Sequence, residues 1–319
     1  MDAYRSLQAV ASADGDGVVD WSAVVEAATN GTDSGDLSLS SAEREAYAED
    51  VGDARDAIAA AIDRDVTLPE TVQIFNRHHW IDANADTFRL ITTPLAERTA
   101  ATPRAATVVN TGTMSVLLGF LARNVIGQYD PLLLAGPDAD EHALYFVHPN
   151  VTRTAADLDV PLDRFRRWIA FHEVAHAAEF GAAPWLSTYL ETRITSAIEE
   201  LTEGSVDREA YTDLNTAMTA VEGYAELVMD RAFDEPSAEL RAKLDERRGG
   251  GGPVKRLLRY VFGLGMKRRQ YERGKEFFDV VADERGLAGA SAVWDRQENL
   301  PTDAELDHPQ RWLARVEPS

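Results

Sequence analysis

The stretch FHEVAHAAEF, Phe171 to Phe180, decides how the chain is interpreted. In a helix it sets His172 and His176 one turn apart, so that both imidazoles can reach a single ion about 2 Å away. Glu173 follows the first histidine, where its carboxylate can hold a water molecule on the open side of that ion. This is the HExxH arrangement of zinc hydrolases. The stretch therefore predicts a zinc site with His172 and His176 as ligands and Glu173 as the general base.

The residues before the motif predict the direction in which its histidines point. Phe165, Trp168 and Ile169 recur at three- and four-residue spacing, and the next positions on the same stripe are His172 and His176. We therefore expect both histidines to face the interior. A hydrogen-bonded pair of core histidines would give the same pattern, so the pentapeptide alone leaves a metal site and a structural pair open.

A catalytic zinc site needs a third protein ligand, which the segment AVEGYAELVMD, Ala220 to Asp230, can supply. Glu222 and Glu226 lie at i and i+4 beside an apolar stripe, and two such carboxylates repel each other unless a cation compensates. We expect Glu222 to be the third ligand. We expect Glu226 to accept the ring N–H of a ligating histidine. The alternative is a solvated helix face with two exposed glutamates.

Other acidic residues are weaker candidates for the third ligand. Glu179 lies two turns from His172 on the same helix, which is too far to share the ion of that histidine. A polar run that is typical of a solvated face contains three further glutamates, Glu199, Glu200 and Glu203.

Several aromatic side chains are candidates for other chemical roles. Tyr224, His148 and Tyr271 could each stabilise a developing oxyanion, although packing explains each of them equally well. His78 and His79 raise the possibility of a second metal site. Capping and core packing at a helix start are the more common roles of such a pair.

The composition excludes several classes of function. The 319 residues include 54 acidic and 32 basic ones, for a net charge of -22, and this charge disfavours binding to nucleic acid or to an anionic membrane. Only four of the basic residues are lysines. We interpret this acid-rich, lysine-poor balance as an adaptation to a salty, halophilic cytosol, with an acidic functional surface as the alternative. The absence of cysteine excludes disulfides and thiolate ligands, so a metal must be bound by histidine and carboxylate.

A cytoplasmic location is predicted from the apolar segments of the chain. The N-terminus lacks the basic and apolar regions of an export signal, and MSVLLGFLARNVIG from Met114 is too short to span a bilayer. The basic block from Lys255 to Lys275 is expected to pair with carboxylates of this chain or with an acidic partner, rather than with nucleic acid or membrane. No pattern predicts an oligomeric state.

The pattern of apolar residues predicts an α+β, mainly α-helical fold with a small sheet just before the motif helix. PLLLA from Pro131 and ALYFVHPN from Ala143 are the two expected strands. Helices are predicted from Ala42 to about Asp63, from His78, from Arg104 to about Ile126, from Pro161 to Gly181, from Leu186 to about Glu203 and from Asp207 to about Phe233.

The chain is expected to form one catalytic unit. Residues 1–16 are small and acidic and are predicted to be flexible. Residues 17–319 form the unit, with a helical N-terminal part at 17–128 and a metal-site part at 129–319. The tail beyond Ala290 is predicted to be rich in loops.

HEVAH followed by EGYAE resembles the gluzincin class of zinc peptidases. More narrowly, the chain resembles a zincin-like family labelled zinc-dependent metalloprotease or deazaflavin-coenzyme-biosynthesis-associated protein. The resemblance runs over nearly the whole chain, in the blocks VDWSAVVEAA, NRHHWIDANADTF, GQYDPLLL, YFVHPNV, EGYAELVMD, LLRYVFGLGMKRRQYERGKEF and VWDRQENLPTDAELDHPQRWLARV. The resemblance implies a zincin-like fold and one zinc ion per chain, bound by His172, His176 and Glu222 with Glu173 as the base.

Three functions are compatible with these residues. The leading one is a zinc-dependent hydrolase, specifically a metallopeptidase, whose peptide or protein substrate lies along the strand ALYFVHPN by main-chain hydrogen bonds. The second is a non-catalytic zincin scaffold that serves as an accessory or assembly factor in coenzyme biosynthesis. The third is an acidic helical interaction protein without metal. Glu173 favours the enzyme, because a merely structural zinc site does not need it.

Overall fold

The fold is α+β and mainly helical, which confirms the fold class predicted from the sequence. The structure, a computed structural model, describes residues 2–13, 17–62, 68–69, 71–98, 103–130, 143–203, 208–234, 240, 243 and 268–317. The strands are β1 (Thr71–Phe75), β2 (Gly127–Asp130) and β3 (Ala143–Val147). The helices are α1 (Ala3–Ala11), α2 (Trp21–Asn30), α3 (Ser41–Ile62), α4 (Arg77–Arg98), α5 (Arg104–Ala122), α6 (His148–Asp157), α7 (Leu162–Ala182), α8 (Pro184–Glu203), α9 (Arg208–Ala232), α10 (Arg268–Ser291), α11 (Asp303–Asp307) and α12 (Pro309–Arg315).

Both ends of the chain are more helical than the sequence predicts. The segment predicted to be flexible contains α1, which packs along α2 and whose preceding Asp2 N–H donates to the Asn30 carbonyl at 2.7 Å. The tail predicted to be rich in loops contains α11 and α12, and a capping box between Thr302 and Glu305 starts α11. Short polar caps of this kind define helices that hydrophobic periodicity alone does not reveal.

The described residues form one small sheet with the strand order β1-β3-β2. β1 runs parallel to β3, with Gln73 opposite Tyr145, and β2 runs antiparallel to it, with Tyr129 opposite Leu144. The predicted strand at Ala143 is present, although it ends at Val147 and the next residue begins α6. The predicted strand PLLLA lies outside the described residues. β1 and β2 were not predicted, and the sheet joins the predicted N-terminal part to the metal-site part.

The sheet separates two hydrophobic cores. Leu144 and Phe146 point to one face, where they pack with α3, α7 and α9 in the larger core. Phe75 and Val147 point to the other face, where Trp80 of α4 belongs to a smaller core with α2 and α5. Side chains on a strand alternate between faces, so this short sheet can serve both cores. The motif helix α7 therefore lies on the inner side of the sheet, with β2 beside it.

Among the described residues, one helix is long and apolar enough to cross a membrane by length and composition. This helix is α5, and in the structure it packs against α2 and α4. Leu118, Leu121 and Ala122 are completely buried in the smaller core. Val109 and Val116 of the same helix are exposed, so burial against other helices accounts for only part of the apolar composition of α5.

Two glycines allow α9 and α10 to cross at very short distance. A Cβ atom on Gly223 would lie 2.7 Å from the Cα atom of Gly274, and one on Gly274 would collide with the Thr219 carbonyl oxygen. No residue other than glycine fits such a backbone-to-backbone contact. Because Gly223 directly follows Glu222, this crossing also restricts the position of Glu222 in the core.

Replacement of Gly274 by alanine is expected to destabilise the protein by about 1–3 kcal/mol, because the added methyl group overpacks the crossing of α9 and α10. The free energy of unfolding from denaturant titration at fixed salt concentration measures this loss. Gly52→Ala is the matched control, since a Cβ atom on Gly52 of α3 has open space around it. Equal stability of the two variants would contradict the close crossing.

Candidate metal centre

The motif helix α7 begins and ends where the sequence predicts. Pro161 precedes it, and Ala183 separates it from α8, which begins at Pro184. The apolar stripe is inside, since Phe165 is completely buried and Trp168 is 3% exposed. The two histidines of the motif continue this stripe to a point where the helix becomes partly accessible.

Three predicted metal ligands meet between α7 and α9. The Nε2 atoms of His172 and His176 lie 3.3 Å apart, and one ligand atom from each histidine and from Glu222 all lie within 4.8 Å of one another. Glu222 is only 5% exposed, so its carboxylate faces the histidines from inside the core. Two imidazoles and one carboxylate are the donor set of a catalytic zinc site with one position left for water. The residues therefore fit a zinc ion.

Glu179 determines which nitrogen of His176 faces the ligand cluster. Its Oε2 atom lies 3.0 Å from Nδ1 of His176. When Glu179 is ionised, it accepts the Nδ1–H, and the lone pair of Nε2 then faces His172 and Glu222. Burial lowers the pKa of His176 to about 4, which keeps the imidazole neutral as a metal ligand requires. This role of Glu179 was not predicted from the sequence, where Glu179 was a candidate ligand only, although its i+3 spacing from His176 indicates such a contact.

Stacking orients the ring of His172. The indole of Trp168 lies nearly parallel to it, with ring centroids 5.5 Å apart and an interplanar angle of 8°. His176 then meets His172 edge to face, at 79° and 4.6 Å between centroids. The ring of His176 is thus held by a hydrogen bond, and the ring of His172 by the indole of Trp168 one turn earlier on the same helix.

The proposed base Glu173 is buried next to β2. Its Oε2 atom accepts a hydrogen bond from the Tyr129 backbone N–H at 2.9 Å. Burial raises the pKa of Glu173 to about 8, the Tyr129 bond opposes this shift, and the charge of Glu222 adds to it. A carboxyl group with a pKa this close to neutrality can both take up and release a proton.

Glu179 is a second carboxyl group with a strongly shifted pKa. Burial, followed by the charge of Glu222, raises the pKa of Glu179 well above its ordinary value. A divalent cation at the three ligand atoms would oppose the shifts at Glu173 and Glu179, because a nearby positive charge favours the carboxylate form. The electrostatics of the site therefore favour cation binding.

The structure places the other residues singled out in the sequence at several different positions. Glu226 lies one turn after Glu222 on α9 and is half-buried. The Tyr224 hydroxyl is buried and lies 2.7 Å from the Ser291 hydroxyl, so Tyr224 packs between α9 and α10. His148 lies at the start of α6 with Nδ1 3.0 Å from the Tyr47 hydroxyl. The side chain of Tyr271 lies outside the described residues.

The pair His78 and His79 belongs to no metal-binding cluster in the described part of the chain. His78 Nε2 lies 2.8 Å from the Thr32 carbonyl oxygen, and the His79 N–H is capped by the Asn76 side chain. This is the capping and packing role that the sequence analysis named as the more common one.

The expectation that ALYFVHPN offers a docking edge for a peptide is wrong. β3 is the central strand, with β1 on one side and β2 on the other, so its backbone groups are already paired. Strand order is a tertiary property that a single strand pattern does not carry. Among the described residues, the sheet edge beside α7 belongs to β2.

The described end of the basic block forms ion pairs within the chain. Lys275 lies 3.0 Å from Asp230 of α9 and 2.6 Å from Asp279 of its own helix. Arg273 pairs with Asp303 at 2.7 Å. The greater part of the block, residues 255–267, lies outside the described residues.

Comparison with known proteins was consistent with this centre. A family model described as zincin-like metallopeptidase matches residues 19–207 and 200–313, which include both α7 and α9. Among solved structures, the chain is similar to a crystal structure from Chloroflexus aurantiacus described as that of "a putative hydrolase with a novel fold". The two chains share 29% sequence identity with a TM-score of 0.72, over 99% of this chain and 98% of the other. No curated protein matches the chain.

Replacement of Glu179 by leucine is expected to weaken zinc binding by about 10–100-fold, because the ring of His176 loses the acceptor that fixes its tautomer. Glu179→Gln keeps a carbonyl acceptor and should lose less. Competition between the protein and a chromophoric chelator for zinc measures the affinity. Glu191→Gln, at an exposed position of α8, is the control and should bind zinc like the wild type. Wild-type affinity in Glu179→Leu would contradict the role assigned to Glu179.

Proposed function

Because the chain belongs to the family of zincin-like metallopeptidases, we propose that it is a zinc-dependent hydrolase that cleaves amide bonds in peptide or protein substrates, with one zinc ion per chain. The observation that carries this proposal is the cluster of His172, His176 and Glu222, whose ligand atoms lie within 4.8 Å of one another. Glu173 follows the first ligand on the same helix, where the HExxH arrangement requires its general base.

Glu173 and Glu179 have different roles in the proposed amide hydrolysis. Zinc, when bound, supplies Lewis acidity toward the scissile carbonyl group and toward the attacking water. Glu173 takes a proton from that water and returns it to the leaving amine, which is the role of the glutamate in an HExxH arrangement. Glu179 holds His176 in the tautomer that presents Nε2. The burial of this region by α7 and α9 limits access of bulk water to these charges.

Glu226 is proposed to orient the second ligand ring. Glu179 already accepts a hydrogen bond from His176, so a second carboxylate of this kind would serve His172. Glu226 lies at i+4 from Glu222 on α9, which places it on the same side of that helix as the ligand. A carboxylate that accepts the ring N–H of a ligating histidine raises the basicity of the ring.

An enzyme is favoured over a metal-binding scaffold by the burial of Glu173. A structural zinc site is closed by its ligands and does not need a further carboxyl group beside them. Glu173 is 7% exposed, lies close enough to Glu222 for the charges to repel, and has an unfavourable desolvation energy. An accessory factor would gain nothing from this arrangement, whereas a hydrolase uses it in every turnover.

Metal analysis of the purified protein tests the ligand set. We expect about one zinc ion per chain in the wild type, and loss of zinc in His176→Ala and Glu222→Ala, because two remaining ligands bind zinc far more weakly than three. Glu173→Gln should keep its zinc. Retention of zinc in both alanine variants would contradict the proposed ligands.

Activity tests the assignment of Glu173. A library of synthetic peptides incubated with the zinc-loaded protein in molar KCl should yield cleavage products by mass spectrometry, and Glu173→Gln should reduce the rate by about 10²–10⁴-fold. Activity that survives Glu173→Gln would contradict the mechanism. A wild type that holds zinc but cleaves no peptide would favour the accessory or assembly factor in coenzyme biosynthesis.

A further inference from the structure

The outer edge of β2 contacts the carboxylate of Glu173. In an antiparallel pair, alternate residues direct their backbone groups toward the neighbouring strand. The Ile126 carbonyl accepts the Val147 N–H at 2.9 Å, so residues 126, 128 and 130 face β3, whereas Gly127 and Tyr129 face away from it. The N–H of Tyr129 on this outer side is the donor to Glu173.

Gly127 provides the space in which this carboxylate lies. A Cβ atom on Gly127 would lie 2.7 Å from Oε1 of Glu173, 2.8 Å from its Cγ atom and 2.9 Å from its Cδ atom. Three contacts below 3 Å, all with the same side chain, mean that any larger residue at this position would displace the carboxylate. Glycine is therefore required here by the contact with Glu173.

The other face of β2 is fixed by a polar network on α4. Trp80 Nε1 donates to the Gln128 side-chain oxygen at 2.7 Å, and the Gln128 amide donates to Asn84 Oδ1 at 3.0 Å. The Asn84 amide in turn donates to the Trp80 carbonyl at 2.9 Å, which closes the network. Trp80 and Asn84 are 1% and 4% exposed, so these bonds hold in a region of low dielectric.

We propose that β2 is the positioning element for the general base: Gly127 and the Tyr129 N–H fix the place of the Glu173 carboxylate, and Gln128 fixes β2 to α4. This inference rests on the proposed function for the role of Glu173 as base. Gly127 and the Tyr129 N–H are together called the seat of Glu173. The proposed metal ligands come from α7 and α9, so the seat on β2 is separate from them. A base on a flexible side chain loses rate when its orientation varies, and a misplacement of about 1 Å can cost about 100-fold.

A double-mutant cycle in thermal stability tests the seat without any need for catalysis. Gly127→Ala should lower Tm by roughly 3–10 °C in the wild-type background, because the methyl group collides with a buried carboxylate. In the Glu173→Ala background the collision is gone, and the same substitution should lower Tm much less. Gly52→Ala controls for the effect of alanine on the unfolded chain. An equal loss in both backgrounds would overturn the proposal.

Zinc binding and steady-state kinetics then separate positioning from general damage. Gly127→Ala should bind zinc, used alone against a chromophoric chelator, with wild-type affinity, and its kcat on a cleaved peptide should fall at least about tenfold with KM little changed. Gln128→Leu should show the same pattern more weakly. A loss of zinc affinity in Gly127→Ala, or a rise in KM with unchanged kcat, would contradict positioning of the base.

The two proposals fail in distinguishable ways. If the cycle shows coupling between Gly127 and Glu173 while no peptide is cleaved, the placement of Glu173 by β2 is supported and the proposed hydrolase activity is wrong. If Glu173→Gln abolishes cleavage while the cycle shows no coupling, the proposed hydrolase activity is supported and the placement of Glu173 by β2 is wrong.

Discussion

The rest of the structure depends on the meeting of two imidazoles and a carboxylate between α7 and α9. His172 and His176 share one face of α7 because they are four residues apart, and Glu222 reaches them from α9. Two imidazole nitrogens and a carboxylate at such short distances inside a core favour the binding of a cation that compensates them. The contact between Gly223 and Gly274 packs α10 closely against α9 at the residue next to Glu222, and so restricts the position of that ligand candidate.

The charge of the site is separate from the charge of the surface. Glu173, Glu179 and Glu222 are all at least nine-tenths buried, and burial, followed by the charge of Glu222, raises the pKa of the other two carboxyl groups. Three such groups destabilise the fold if they remain ionised without a partner, so metal binding and stability are coupled here. The other acidic residues that contribute to the net charge of -22 are a separate feature, and their interpretation as an adaptation to salt stays a prediction.

Sequence patterns predicted most of the helices and the residues that cluster between α7 and α9, because both depend on local spacing. The i, i+4 pair His172 and His176 and the glutamate Glu222 on a second amphipathic helix are properties of single segments, and the structure brings them together as the spacing indicated. The contact between Glu179 and His176 was not predicted, because the i, i+3 spacing by itself does not distinguish a buried hydrogen bond from two separate side chains. The function of Glu226 stays a prediction.

The sheet was much harder to predict from sequence. β2 has only four residues, GQYD, without the alternation that indicates a strand, and the order β1-β3-β2 arises only when the chain has folded. Because the strand order could not be predicted, β3 was expected to offer a free edge for a peptide, whereas it is the central strand. The Tyr129 N–H on the outer edge of β2 is already used by Glu173, so a peptide that paired along this edge would compete with the base for that donor.

Zinc K-edge X-ray absorption of the purified, zinc-loaded protein tests the central claim most directly. We expect a first shell of nitrogen and oxygen donors at about 2.0–2.1 Å, with multiple scattering from two imidazoles, as His172, His176, Glu222 and a solvent ligand would give. A shell of oxygen donors without imidazole scattering, or with the scattering of a single imidazole, would contradict the metal centre between α7 and α9.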